Sequence, residues 1–259
     1  MEEIERWEKA GRVGKRPNLE SVLLNASYEE KLKLVKRLID DGANVNVKSS
    51  DGSTPLILTT SASNEKIVET LLNAGADVNT KNNRGNRALC YAFGCCRAEL
   101  PLIKLLVEAG ADVNIKTSDG RPLLCQAVGC CQPNPVEAVK MLLEKGADLE
   151  VRDKDKSTPI LCAVSLKAKD TVELLLEEGA NPFAVDYKGK NAYDLADNEE
   201  IKKMLKDYEE KLEKIIEKAE KGGELTEQEM KVWKVALHRL LERCDKKVYS
   251  FINYMLSQS

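Results

Sequence analysis

Histidine is almost missing from this chain: the 259 residues contain one, His238. Histidine is the commonest proton-transfer side chain near neutral pH and a leading metal ligand, so nucleophile–histidine chemistry would have to pass through that single residue. Aromatic residues make up only 5%, which leaves little material for base stacking or a cofactor box. Phosphate-binding motifs of the GxGxxG and GxxxxGK[ST] kinds are absent. No apolar run approaches the ~18–20 residues of a membrane-spanning helix, so no membrane association is expected. A net charge of −3 provides no basic field for nucleic acid. The amino end, MEEIERWEKAGRVGKR, lacks the apolar core of a secretory signal. Eight cysteines in such a chain point to free thiols in a reducing compartment, the cytoplasm. These absences predict a protein that is not an enzyme, with no catalytic residue and no cofactor.

What is present is a repeat. GANVN (42–46), GADVN (75–79), GADVN (110–114), GADLE (146–150) and GANPF (179–183) start at glycines spaced 33, 35, 36 and 33 residues apart. An amphipathic run precedes each one (LVKRLIDD, IVETLLNA, IKLLVEA, VKMLLEK, VELLLEE), with apolar residues at the three- and four-residue spacing of a helix that buries one face. The following glycine suits a left-handed helix stop. A turn comes next, KSSDGS, KNNRGN, KTSDGR, RDKDKS or VDYKGK, predicting a hairpin-like finger. A second, shorter helix then opens, at Thr-Pro in two copies (54–55 and 158–159), where threonine can cap and proline needs no amide partner. No such unit buries its apolar face alone, so the copies must stack.

The segments DGSTPLILTT…IVETLLNAGADVN (51–79) and DKSTPILCAV…TVELLLEEGANPF (155–183) resemble ankyrin repeats. The resemblance spans about residues 19–205, as five copies and a closing one, GKNAYDLADNEEIKKML (189–205). It implies an all-α, ankyrin-repeat α-solenoid with β-hairpin-like finger turns. It also implies recognition of a protein partner through the concave finger and short-helix surface. The first copy (about 19–50) departs by lacking the hairpin and Thr-Pro. Where the family places histidine after Thr-Pro-Leu, this chain has Ile57, Cys90, Cys125 and Leu161. Copies three and four carry extra residues between their helices, at GCCRAELP and GCCQPNPV.

Residues 1–18 read as a charged amino-terminal segment, 19–205 as the repeat domain and 206–259 as a carboxyl-terminal extension forming a helical hairpin. Ile201, Leu205, Tyr208, Leu212, Ile215 and Ala219 share one face of a long helix from about 199 to 221, which Gly222-Gly223 ends. Thr226-x-x-Glu229 reads as a capping box opening a second helix over about 226–257. In it Trp233, Leu237, Leu240, Val248, Phe251 and Met255 fall at near-heptad spacing. The hairpin is expected either to cover the open end of the last repeat or to form a docking or homodimer interface, making the chain an oligomeric scaffold or adaptor.

The finger tips carry eleven basic side chains (Lys48, Lys81, Arg84, Arg87, Lys116, Arg121, Arg152, Lys154, Lys156, Lys188, Lys190) against six acidic ones (Asp51, Asp119, Glu150, Asp153, Asp155, Asp186). A basic edge on a chain of net −3 fits either a partner with an acidic surface, with Tyr91, Phe93 and Gln126 as outward anchors on the short helices, or charged tips that merely keep the solenoid soluble. The duplicated pairs Cys95-Cys96 and Cys130-Cys131 could bring four thiols together. They lack the two-residue spacer of common zinc knuckles, however, and repeat duplication explains them without a metal. The resemblance further implies that Asn46, Asn79 and Asn114, and less well Asn181, match a position that asparaginyl hydroxylases modify in the family. The plainer expectation is that these side chains order their loops.

Overall fold

A computed structural model describes residues 18–94, 99–130, 135–233 and 235. The described residues are all helix and turn, with no strand and one isolated bridge between Lys116 and Pro122. They fall into two compact units, one formed by the residues up to 123 with 130–146, the other by 124–129 and those from 147 onward.

The first unit begins with α1 (Leu19–Tyr28) and α2 (Leu32–Asp40). The first copy has no Thr-Pro, and Asn18 takes over the capping: its Oδ1 accepts the Glu20 and Ser21 amides at 3.1 and 3.2 Å. The second copy supplies α3 (Pro55–Ser61), where Thr54 Oγ1 accepts the Ile57 amide at 3.3 Å, and α4 (Glu65–Asn73), capped by Asn64. Then follow α5 (Ala88–Ala92), α6 (Leu100–Glu108), α7 (Leu123–Cys130), most of which lies in the second unit, and α8 (Pro135–Glu144). Short helices α1, α3 and α5 pack in one row, and long helices α2, α4, α6 and α8 in another. Leu23, Val35, Leu56, Ile67, Leu71, Leu89, Ile103 and Leu106, each at most 1% exposed, fill the space between the rows. Each such side chain contributes about 1.5–3 kcal/mol by burial. Of the residues standing where the resemblance would place histidine, Ile57 and Cys90 are buried here, and Cys125 and Leu161 in the second unit.

The second unit contains α9 (Pro159–Ser165), α10 (Lys169–Glu177), α11 (Ala192–Leu195) and α12 (Glu199–Glu220). Here Thr158 departs from the expectation of a cap. Its hydroxyl makes no cap hydrogen bond and is buried without a partner among the described residues. Asn191 and Asp194 form a reciprocal capping box on α11, and Asn198 caps α12. The apolar face of α12 is buried as its spacing predicts: Ile201, Leu205, Tyr208, Leu212, Ile215 and Ala219 are each at most 6% exposed. The boundary drawn at 205 falls within this unbroken helix.

Lys221 ends α12 and Gly222 follows at a φ of +73°. Thr226 and Glu229 then form the expected box, Oγ1 accepting the Glu229 amide at 3.2 Å and Oε2 accepting the Thr226 amide at 2.8 Å. The helix they open, α13, is described over 227–233. His238, Leu237, Leu240, Val248, Phe251 and Met255 lie outside the described residues, as does the segment 1–17.

Candidate partner-binding surface

The five fingers share one turn. In each, the amide of the first residue donates to the carbonyl four residues on: Ser49 to Ser53, Asn82 to Asn86, Thr117 to Arg121, Asp153 to Ser157 and Asp186 to Lys190, at 2.9–3.1 Å. The fourth residue sits in the left-handed region. Gly52, Gly85, Gly120 and Gly189 adopt it without a Cβ penalty. The fourth copy has Lys156 there, at a φ of +57°.

Side chains close the same turn from within. Asp51 takes the hydroxyls of Ser49 and Ser53, and these bonds hold its carboxyl below the ordinary carboxylate range. Thr117 donates to Asp119 in the same way. Asp153 Oδ1 accepts the amides of Asp155 and Ser157, and Asp186 Oδ1 those of Lys188 and Lys190, at 2.8–2.9 Å. In finger two, Asn82 does the equivalent while 5% exposed. Its Oδ1 accepts the Arg84 and Asn86 amides, and its Nδ2 donates to Tyr91 Oη at 2.9 Å. These acids and amides are occupied by their own turns, whereas Lys48, Lys81, Arg84, Lys116 and Lys154 are exposed.

Not every basic residue expected at the tips is available. Arg87 Nε donates to the Asn79 carbonyl at 3.1 Å, and its guanidinium lies 3.6 Å from Asp112. Arg152 Nη1 donates to the carbonyls of Lys156 and Val185 at 3.0 and 2.8 Å. Both arginines pin backbone, because a fork of donors beside a turn finds carbonyls that a lysine point charge would leave to water. Arg121 and Gln126 are half-buried, and Tyr91 is half-buried against Asn82. Phe93 corrects an expectation outright: it is fully buried, not an outward anchor. Helix α5 stops at Ala92 after five residues, so Phe93 has left the helical register and turns into the core.

The loops after the long helices carry a ladder. Asn46 Oδ1 accepts the Asp77 amide at 2.7 Å and its Nδ2 donates to the Gly75 carbonyl at 3.2 Å. Asn79 repeats this with Asp112 at 2.8 Å and Gly110 at 3.0 Å, and Asn114 donates to Gly146 at 2.9 Å. In the fourth copy Glu150 accepts the Asn181 amide at 2.8 Å, the half of the rung that a carboxylate can make. The expectation that each asparagine orders its own loop is corrected: Asn46, Asn79 and Asn114 reach the loop of the next copy. The local side-chain bonds in their own loops come from Asn44, Asp77 and Asp112. Asn181 contributes instead through its own amide, and its Oδ1 accepts the Phe183 amide.

At the carboxyl end the start of α13 lies against the end of α10. Gln228 Nε2 donates to the Glu177 carbonyl at 2.7 Å, and Lys231 pairs with Glu178 at 2.7 Å. The Lys231 carbonyl approaches Gly179 so closely that a Cβ there would meet it at 2.8 Å. Trp233 is 6% exposed, so its ring is taken up by the chain's own packing and does not stand out as an interface residue.

Two apolar residues escaped the sequence reading. Val185 and Tyr187, on the fifth finger, are 43% and 59% exposed. Aligning the finger turns would have found them. The residue before the turn is Lys48, Lys81, Lys116 and Arg152 in the first four, and Val185 in the fifth.

Among the described residues, no group of histidine, cysteine and carboxylate side chains could hold a metal, and no helix is long and apolar enough to cross a membrane. The four-cysteine candidate is not tested by this, because Cys95, Cys96 and Cys131 lie outside the described residues. Comparison with curated proteins returns no match. The family described as ankyrin repeats (3 copies) matches residues 23–117 and 124–215. With repeated turn, short helix, long helix and glycine stop accounting for most of its length, the chain belongs to the ankyrin-repeat family.

Proposed function

We propose that the chain holds a protein partner against the exposed lysines and arginines of its fingers and the adjoining short-helix surface, and carries out no chemistry of its own. Ankyrin repeats are in general protein–protein interaction modules, and typically non-enzymatic ones. The observation that supports the finer reading is the division of labour in the finger turns. Asp51, Asp153 and Asp186 are engaged by turn hydroxyls and amides, while Lys48, Lys81, Arg84, Lys116 and Lys154 extend into solvent. On the second, third and fifth fingers basic side chains outnumber acidic ones, and such a tip steers an acidic surface.

Reversing Lys81, Arg84, Lys116 and Arg121 to glutamate should weaken partner binding about tenfold or more and flatten its salt dependence. Binding that survives this change but fails on truncation after residue 222 would move the partner to the carboxyl-terminal helices.

The engagement of Gln228 and Lys231 with α10 supports a covering role for α13. A covering helix predicts a solution mass of one chain, 28.8 kDa. Twice that mass, reverting on truncation after 222, would favour a dimeric scaffold.

A further inference from the structure

We infer that the fifth finger is the anchor point of the recognition surface and takes an acidic peptide segment bearing one apolar side chain. The inference rests on the finger reading above and names where on it, and by what chemistry, binding is concentrated.

Val185 and Tyr187 are two of only four large apolar side chains exposed among the described residues, and they flank a single aspartate on one turn. The other four fingers place lysine or arginine where Val185 stands, and serine, asparagine or lysine where Tyr187 stands. The finger's backbone is held at two points by the fourth finger. The Tyr187 amide donates to the Asp155 carbonyl at 2.9 Å, and Arg152 donates to the Val185 carbonyl at 2.8 Å. A tyrosine on a fixed backbone offers a large contact area for little lost conformational entropy, which is why such residues dominate binding hot spots.

Charge defines the occupant. Lys154, Lys156, Lys188 and Lys190 are exposed on this finger and its neighbour, and the Lys188 ammonium lies 5.2 Å from the Tyr187 ring centroid. Against these four lysines stand three aspartates: Asp153 and Asp186 turn an oxygen onto their own backbone amides, and Asp155 is exposed between Lys154 and Lys156. An apolar pair beside four lysines fits an apolar side chain flanked by carboxylates. A single-stranded nucleic acid would call for successive aromatic platforms, and one exposed tyrosine on a chain of net −3 does not supply them.

The test is selection of a phage-displayed random dodecapeptide library on the full chain. Selected peptides are then synthesised and their affinities measured by fluorescence anisotropy. The expected set places Asp or Glu within a few positions of Leu, Ile or Phe. Tyr187→Ser should weaken these peptides about tenfold, and Val185→Lys, which restores the residue type of the other fingers, several-fold. Lys154→Glu with Lys188→Glu should weaken them about tenfold and reduce the salt dependence. All four substituted side chains are exposed, and unchanged thermal melts would confirm that the fold is kept.

A selection without acidic enrichment, or one that yields no binder, overturns the inference, as does affinity within about twofold of the parent in Tyr187→Ser. Peptides lost on reversing Lys81, Arg84, Lys116 and Arg121, yet indifferent to Tyr187→Ser, would sink the fifth-finger anchor and leave the finger reading standing. An oligouridine dodecamer that binds more tightly than any selected peptide would overturn both.

Discussion

The junctions between successive copies and the closure after the last one perform the same task by different means. Between copies, an asparagine at a fixed place in the loop bonds the next copy's loop amide and glycine carbonyl, as Asn46 and Asn79 do. After α10 the contacts are made by Gln228 and Lys231 from a helix that follows no repeat pattern. The same difference shows at the glycine stops. Gly42, Gly75, Gly110 and Gly146 have open space where a Cβ would be, whereas Gly179 has the Lys231 carbonyl. A repeated junction tolerates any neighbour of its kind, but the closure fits one specific surface.

The sharpest way to break this comparison is to add a methyl group at two stops. Gly146→Ala should cost only the left-handed backbone penalty, about 1–2 kcal/mol. Gly179→Ala adds a collision with backbone and should lose about 2–4 kcal/mol in urea unfolding. Equal losses would show that α13 is not held where it lies. Next in size is the ladder. Asn79→Ala removes two hydrogen bonds and should cost about 1–3 kcal/mol, against about 1 kcal/mol for the single bond lost in Gln228→Ala.

A smaller effect of opposite sign is expected in the fourth finger. Lys156→Gly relieves a left-handed lysine and should stabilise by about 0.5–1 kcal/mol, visible as a raised melting temperature. The least effect at neutral pH belongs to Glu229→Gln. The Lys218 ammonium and the Thr226 amide pull the Glu229 carboxyl down to about 2 from an ordinary 4.5. A depressed folded value means its contribution is present above 4.5 and fades as pH falls toward 2. Melts of the parent should therefore decline more steeply across that window than those of Glu229→Gln.

What could be read from sequence was whatever depends on local chemistry. The glycine stops, the finger turns, the Thr226–Glu229 box and the buried face of α12 each follow from a few neighbouring residues, and each is where the spacing places it. What escaped depends on the destination of a side chain. Arg87 and Arg152 count as surface charge in a composition, yet both are spent on carbonyls of the loops and fingers. Phe93 was misplaced because nothing local announces that α5 lasts five residues. Thr158 has the same Thr-Pro sequence as Thr54, but only Thr54 closes a cap. Val185 and Tyr187 were hidden for the opposite reason, since a single finger shows no anomaly and only register against the others does.

The asparagine rung also bears on how such a chain can change length over generations. Each rung joins a loop only to the one after it, through a side chain that both Asn46 and Asn79 supply in the same way. A gene segment duplicated within this stretch would encode a unit that finds its hydrogen-bonding partner already present on either side. Past Glu150, which makes half a rung, a duplicated unit would find one bond in place of two, and at Gly179 it would have to displace Lys231. A copied unit thus meets matching partners in the first copies and a progressively less matching surface toward the carboxyl end.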